Sequence, residues 1–419
     1  MYLLADVNSM YASCEQIFRP DLKDQPVVVL SNNDGAVVAM NKQAKALNIK
    51  RGTPYFQIKP LMQRYNVTSF SSNYALYGDM SSRVMATLES LAPRIDIYSI
   101  DEAFLHIDGI DACEELNHYG HRVRDTVKQM TGLTCGIGIS STYTLSKLAN
   151  YAAKRWTATN GVVVLTERHR QRKLMSMTPV EDVWGIGRNI SGKLKTLGIT
   201  TALQLADANL EFIKKIFGVV VERTVRELNG TACISIEAPV AKQQIICSRS
   251  FGERVTSIDD MRQAICQYAE RAAEKLRQVN QYCHHVNIFI RTSPFSQEPY
   301  YSSNANEQLM LGTNDTRTII SASMRGLNQI WRAGYRYQKA GIILNDFCTR
   351  PGQLDLFDTL TPPQNSENLM RVIDRINATG IGKIWFGGQG IAKNWKMKRE
   401  MLSPSYTTNW NDLPSATIS

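Results

Sequence analysis

Residues 93–109 read Pro93-Arg94-Ile95-Asp96-Ile97-Tyr98-Ser99-Ile100-Asp101-Glu102-Ala103-Phe104-Leu105-His106-Ile107-Asp108-Gly109. From Arg94 to Ile100 apolar and polar residues alternate, the period of a half-buried strand. Ala103 to Ile107 resumes the strand pattern, and Asp108-Gly109 ends it as a turn. The pair Asp101-Glu102 therefore falls at or near a hairpin tip. Working outward, Tyr2 to Val7 is a short apolar run that ends on another carboxylate, Asp6. Pro26-Val27-Val28-Val29-Leu30 is a strand stopped by the turn run Ser31-Asn32-Asn33-Asp34-Gly35, and Ala36 to Ala39 resumes it. Asn41 to Leu47 reads as a helix closed by Arg51-Gly52-Thr53-Pro54. Leu133 to Ser140 is a further strand, and Thr144 to Arg155 a further helix. The first 167 residues are thus of mixed α and β type.

Downstream the pattern changes twice. Residues 168–232 read as helices separated by glycine turns at Gly185, Gly187, Gly198 and Gly218. From about 240 to 348, strand-like runs at Gln243–Phe251, Tyr282–Arg291 and Tyr337–Leu344 accompany helices at Ile258–Gln278 and Thr316–Ala333, which predicts a compact α+β module. Beyond Thr349 stand Pro351, Gly352, Pro362 and Pro363, then a polar stretch, which predicts a tail with little core. A chain of 419 residues has room for two to four domains at about 100–200 residues each. With 43% apolar and 21% charged residues, each can bury a core, and wholesale disorder is not expected.

Residues 1–167 are electrically neutral, whereas 168–230 carry +5, 231–350 carry +4 and the remainder +1 of the net +10. A neutral first segment followed by two basic ones suggests chemistry in the first and a polyanion held by the others. No run of about 18 apolar residues occurs, so no membrane helix is expected. Met1 to Asp6 lacks the basic start of a signal peptide. The eight cysteines are scattered without a Cys-x-x-Cys pair, and Cys283-His284-His285 has no second half at zinc spacing. These features predict reduced thiols and a cytoplasmic protein.

Strands of one sheet can bring Asp6, Asp101 and Glu102 to a common edge. Singly, each has a plainer reading, as a helix N-cap or a solvated turn. Together, three carboxylates cannot stay ionised without a cation, and hard oxygen donors favour Mg²⁺. Two such ions about 3.5–4 Å apart would clamp an in-line phosphoryl displacement. Lys42 and Lys45 share one helix face, as do Lys147 and Lys154. The run Pro179 to Arg188, continued by Ser191 to Leu197, reads as a helix-hairpin-helix. Its Gly185 and Gly187 expose N–H groups to a phosphate, beside Arg188, Lys193 and Lys195. Lys214 to Val219 reads as a degenerate second copy. Gln353-Leu354-Asp355-Leu356-Phe357 lies between prolines with no core of its own to join.

Asp6-Val7-Asn8-Ser9-Met10-Tyr11-Ala12-Ser13-Cys14-Glu15 and Tyr98 to Phe104 resemble the Y-family (translesion) DNA polymerases. Ser31 to Gly35, Val183-Trp184-Gly185-Ile186-Gly187 and Ile246 to Arg254 resemble one branch, the UmuC-type catalytic subunits of bacterial DNA polymerase V. The resemblance runs through Met397 to Pro404 and so spans the chain. It implies an α+β, right-hand polymerase. A ferredoxin-like palm (1–167) would carry small fingers inserted at about 20–77. A helical thumb (168–234), an α+β little finger (240–348) and a partner-binding tail (349–419) would follow.

By the same resemblance Asp6 and Asp101 bridge two Mg²⁺ ions, the Val7 carbonyl is a backbone ligand, and Glu102 is the third carboxylate, near the primer 3′-OH. Tyr11 matches the steric gate against ribonucleotides. Ala36, in Gly35-Ala36-Val37-Val38, roofs the nascent base pair. Lys42, Lys45 and Lys154 bind the dNTP triphosphate, the first two standing where many members carry Tyr and Arg. Arg249 and Arg254 contact DNA beside the hairpin residues. Gln353, Leu354, Leu356 and Phe357 match a sliding-clamp peptide. Primer-template DNA, the clamp, a processed UmuD-type dimer and the recombinase filament are the partners implied, in SOS-type damage tolerance. Two other classes remain open at this point: a catalytically inactive DNA-binding accessory subunit, and a nucleotidyl cyclase, whose palm is similar.

Overall fold

The computed structural model describes residues 1–236, 241–349, 365–379, 382–391, 393 and 395–413. The chain forms two compact units. One comprises Met1–Ser31, Gly35–Ala238 and Met401–Ser419, the other Asn32–Asp34 and Pro239–Glu400.

In the first unit, the strands are β1 (Tyr2–Val7), β2 (Val27–Leu30), β3 (Val37–Met40), β4 (Thr68–Ser71), β5 (Arg94–Ile97), β6 (Glu102–His106), β7 (Cys135–Ser140) and β8 (Val162–Val164). The helices are α1 (Met10–Ile17), α2 (Lys42–Ala46), α3 (Tyr55–Tyr65), α4 (Tyr74–Glu89), α5 (Leu116–Thr131), α6 (Tyr143–Arg155), α7 (Arg168–Met177), α8 (Arg188–Thr196), α9 (Ala202–Ala206), α10 (Leu210–Phe217) and α11 (Val219–Leu228). A mixed sheet runs β5-β6-β1-β7-β8. The central strands β1 and β7 are buried on both faces, which is why they read as apolar runs. On one face Leu3, Ala5, Leu105 and Ile137 pack against α1, α4 and α5. On the other, Leu4 and Phe104 pack with Tyr143 of α6. Leu145, Leu148 and Ala149 of α6 also join the core of α7–α11, so this helix is shared between the sheet and the helical segment. A small sheet, β3-β2-β4, builds a separate core with α2 and α3, in which Asn41 caps α2 by accepting from Ala44 N–H at 3.0 Å.

The second unit holds an antiparallel sheet, order β11-β10-β12-β9, from β9 (Gln244–Val255), β10 (Tyr282–Arg291), β11 (Ser302–Thr313) and β12 (Tyr337–Cys348). Helices α12 (Ile258–Gln278) and α13 (Thr316–Ile330) cover one face through Ile265, Ala269, Ile319 and Leu327. A third helix, α14 (Ser366–Ala378), is tied to α12 by an Arg277–Asp374 ion pair at 2.7 Å.

The tail, read as having little core, contributes single residues of its described part to cores built by other segments. Trp395 is buried in the core of the second unit. In the first unit, Met401 packs on the β2–β3–β4 core, and Tyr406 stacks on Phe18 at 4.6 Å. Ser403 hydroxyl bonds the buried Glu15 at 3.1 Å. The proposed clamp peptide at Gln353–Phe357 lies outside the described residues.

Candidate active site

The hairpin tip expected at Asp101-Glu102 is formed, with β5 ending at Ile97 rather than Ile100 because Tyr98 and Ser99 N–H groups both turn back to the Glu102 carbonyl, at 3.0 and 3.1 Å. Ladder register places Asp6 opposite Glu102, and Val7 N–H bonds the Asp101 carbonyl at 2.8 Å. The carboxylates are therefore delivered by adjacent strands to one sheet edge. Their side chains do not form a bare triad. Asp6 is paired with Lys154 at 2.6 Å, Glu102 with Lys147 at 2.7 Å, and Asp101 accepts from Ser99 hydroxyl at 2.6 Å. Among the described residues no three His, Cys, Asp or Glu side chains gather as a metal cage. The three-carboxylate cluster expected from the sequence is here two carboxylates, each with a lysine, beside a third on the adjoining turn. Burial raises the Asp6 carboxyl, Lys154 opposes that rise and Glu102 adds to it, leaving it at about 6.

The lysines reach these positions because α6 lies directly on β7. Gly138 has no side chain where Asn150 N and Ser146 O of the helix backbone pass, and the Lys154 stem crosses Gly136 with its Cγ 3.0 Å from where a Cβ would stand. Lys147 is also caged by rings. Its Nζ lies 4.6 Å from the Tyr98 centroid, 5.7 Å from Trp184 and 5.9 Å from Phe104. Trp184 Nε1 donates to Tyr98 hydroxyl at 3.3 Å. The glycine hairpin is thereby connected through one side chain to the carboxylate edge.

Tyr11, on α1 just beyond Asp6, stacks on Tyr77 at 4.3 Å and meets Tyr74 edge-on at 6.2 Å. Tyr77 hydroxyl donates to buried Glu15 at 2.6 Å, which fixes the ring under Tyr11. Burial raises the Tyr11 hydroxyl, Tyr74 and Asp101 add to the rise, and the charge of Arg51 opposes it. Lys45 donates to Ser9 hydroxyl at 3.3 Å, while Lys42 is exposed. Ala36 bridges to Pro54 and its N–H bonds Ser31 hydroxyl at 3.1 Å.

The glycine turn and the helix after it are formed as read, whereas the turn is preceded only by a three-residue 3₁₀ turn, Val180–Asp182. Gly185 takes φ +87°, a left-handed conformation that favours glycine, and Gly187 caps α8 with open space around its Cα. Arg188 and Lys193 are exposed, whereas Lys195 is paired with Glu181 at 2.7 Å. Gly218, at φ +81°, separates α10 from α11 in the second copy.

Arg249 and Arg254 belong to the other unit. Arg249 shares the strand face of Cys247 and Phe251, toward α12, and Arg254 pairs with Glu298 at 2.7 Å. The opposite face of that sheet carries Arg291 across from Lys339, cations that the sequence reading passed over. Also missed were the roles of Lys147, Tyr77 and Arg51. Only the heptad spacing of Lys147 with Lys154 pointed at any of them.

A model described as the impB/mucB/samB family matches residues 5–151, and its C-terminal domain matches 242–356. Residues 367–416 match a domain of unknown function (DUF4113). Protein SamB of Salmonella typhimurium is 57% identical over the full length of both chains. Protein UmuC of the same species is 55% identical over 99% of each. The chain is a UmuC-type member of the Y-family of DNA polymerases. A solved Y-family DNA polymerase chimera shares its fold, with a TM-score of 0.64 at 18% identity over 82% of this chain and 98% of that one. A UmuC-type chain is therefore a DNA-directed DNA polymerase of the translesion class. Among the described residues no helix is long and apolar enough to cross a membrane.

Proposed function

We propose that this polymerase adds deoxynucleotides to a primer 3′-OH opposite damaged template, using the sheet edge of Asp6, Asp101 and Glu102. The observation that carries the reading is the delivery of Asp6 and Glu102 to facing ladder positions with Asp101 on the joining turn. The donor set fits Mg²⁺. It is made of hard oxygens, and the edge sets three carboxylates, Asp6, Asp101 and Glu102, against the two lysines that pair with Asp6 and Glu102. Asp6, Asp101, the Val7 carbonyl and Glu102 would hold the ions. When bound, two divalent ions supply a polarised α-phosphate and a primer hydroxyl acidic enough to attack it.

The chain's own groups do the rest. Lys154, Lys42 and Lys45 neutralise the triphosphate, and Lys147 orients Glu102 beside the primer terminus. Tyr11, backed by Tyr77, excludes a ribose 2′-OH by bulk, and Ala36 leaves room above the base pair. The N–H groups at Gly185 and Gly187, with Arg188 and Lys193, hold a DNA phosphate without reading bases. In the other unit, Arg254, Arg291 and Lys339 follow the duplex. In hand terms, residues 1–167 are the palm with fingers at about 20–77, 168–234 the thumb and 240–348 the little finger. The last segment, 349–419, takes the sliding clamp through Gln353–Phe357 and engages a processed UmuD-type dimer and the recombinase filament. The reading is tested by primer extension with Mg²⁺ and a choice of four dNTPs on templates differing in the first templating base. Incorporation that follows the template supports it; template-independent addition or cyclic nucleotide formation would refute it.

A further inference from the structure

A cleft of about 920 Å³ lies within the 239–400 unit, between α12, β9 and the segment 383–399. That segment is held on the helix by close packing and by one carboxylate. At the Gly387-Gly388-Gln389-Gly390 turn, a Cβ on Gly388 would stand 2.9 Å from Cys266 Sγ, and one on Gly390 would collide with the Gln263 side chain. Glu270 accepts from Phe386 N–H at 3.4 Å and from the Gln389 amide, and Gln389 Oε1 accepts from Lys393 Nζ at 2.7 Å. Both walls are therefore fixed before any ligand arrives.

The lining is strongly basic. Arg249, Arg271, Lys383, Lys393, Lys396 and Arg399 face only two carboxylates, Glu270 and Glu274. Of these, Glu270 is already engaged by the segment itself, and Glu274 pairs with Arg271. Aromatic surface stands among the cations. Trp385 is 49% exposed, although a tryptophan ordinarily buries most of its area. Tyr268 and Trp395 meet edge-on at 6.1 Å, and the Trp395 indole N–H is buried without an acceptor.

Phosphates and flat bases together match this combination. A duplex hides its base faces, and the carboxylates of an acidic peptide do not stack on Trp385. Single strands use both features at once, with cations along the backbone and aromatic rings under successive bases. We propose that this cleft binds single-stranded nucleic acid, with Trp385 stacking a base and Lys393, Lys396 and Arg399 on the backbone phosphates. The cleft's lining residues all belong to the 239–400 unit and include none of Asp6, Asp101 and Glu102.

The test uses the full chain and a fluorescein-labelled oligothymidylate, read by anisotropy at fixed ionic strength. Trp385→Ala should weaken binding between about fivefold and a hundredfold. Lys396→Glu should weaken it and flatten its salt dependence. Both variants should keep the thermal midpoint of the parent and its extension rate on a primer-template with a single-nucleotide overhang. A 4-thiothymidine strand should photocrosslink within residues 383–399. Parental oligothymidylate affinity in both variants, with crosslinks elsewhere, would overturn the proposal. So would a polyglutamate peptide that binds more tightly than the oligonucleotide and depends on Trp385, since the occupant would then be a protein segment. Anisotropy reads the cleft whether or not the chain extends primers, so failure of the polymerase reading would be seen separately.

Discussion

Replacing Gly138 by alanine would drive α6 off the central sheet. A Cβ at that position collides with Asn150 N and Ser146 O, both helix backbone, and stands 2.9 Å from Asn150 Cα. Ordinary carbon–carbon contact is about 3.5–4.0 Å, so the helix must retreat by roughly 1 Å. No rotamer change relieves this, because the obstructing atoms are main chain. Overpacking of this kind costs about 1–3 kcal/mol, which in a unit this large lowers the melting midpoint by roughly 2–10 °C. The larger effect is on the site. Lys147 and Lys154 ride on α6 and make their ion pairs with Glu102 and Asp6 at 2.7 and 2.6 Å, so the shift carries both cations away from the carboxylates. A misplacement of about 1 Å near reacting groups costs on the order of 10²-fold in rate. Single-turnover extension at a temperature well below the variant's midpoint should therefore fall about a hundredfold, with DNA affinity changed little. If Gly138→Ala melts and extends like the parent, the helix does not bear on β7 and the glycine argument is wrong.

Tyr11→Ala should admit ribonucleotides, since exclusion needs only bulk; an unchanged deoxyribose preference in competition assays would place the gate elsewhere. Tyr406→Ala removes the ring stacked on Phe18 and should lower stability by about 2–4 kcal/mol in denaturant titration. A loss within error would mean that the C-terminal segment contributes nothing to the first unit's core. Alanine at both Leu356 and Phe357 should leave extension on a bare primer unchanged and abolish stimulation by a loaded clamp. Loss of basal extension would put the peptide in the fold instead.

Period-two alternation is a local property, and it located β5, β6 and the tip between them from residues 94–107. The valine run gave β2 for the same reason, and glycines with Trp184 marked the hairpin because a turn at positive φ leaves a residue-type trace. What was illegible depended on partners distant in sequence. Gly136 and Gly138 look like weak points in a strand, and only the helix laid across them explains their smallness. Lys147 looks like any surface lysine until Tyr98, Phe104 and Trp184 surround it. The tail's contacts left no trace because Trp395, Met401 and Tyr406 are isolated apolar residues. Each fills a gap in a core built by other segments, so no periodicity announces them. Helix α3 was unread for a different reason: Pro60 stands inside it, and a sequence reading takes proline as a break.

The most direct test of the account is Asp101→Asn, a substitution that keeps shape and Ser99 contact but removes one charge from the carboxylate edge. Extension of a primed template in Mg²⁺ should be abolished, while primer-template binding, measured by anisotropy on the same preparation, should stay within about twofold of the parent because phosphate contacts lie on other residues. Extension at a substantial fraction of the parental rate would contradict the assignment of catalysis to Asp6, Asp101 and Glu102.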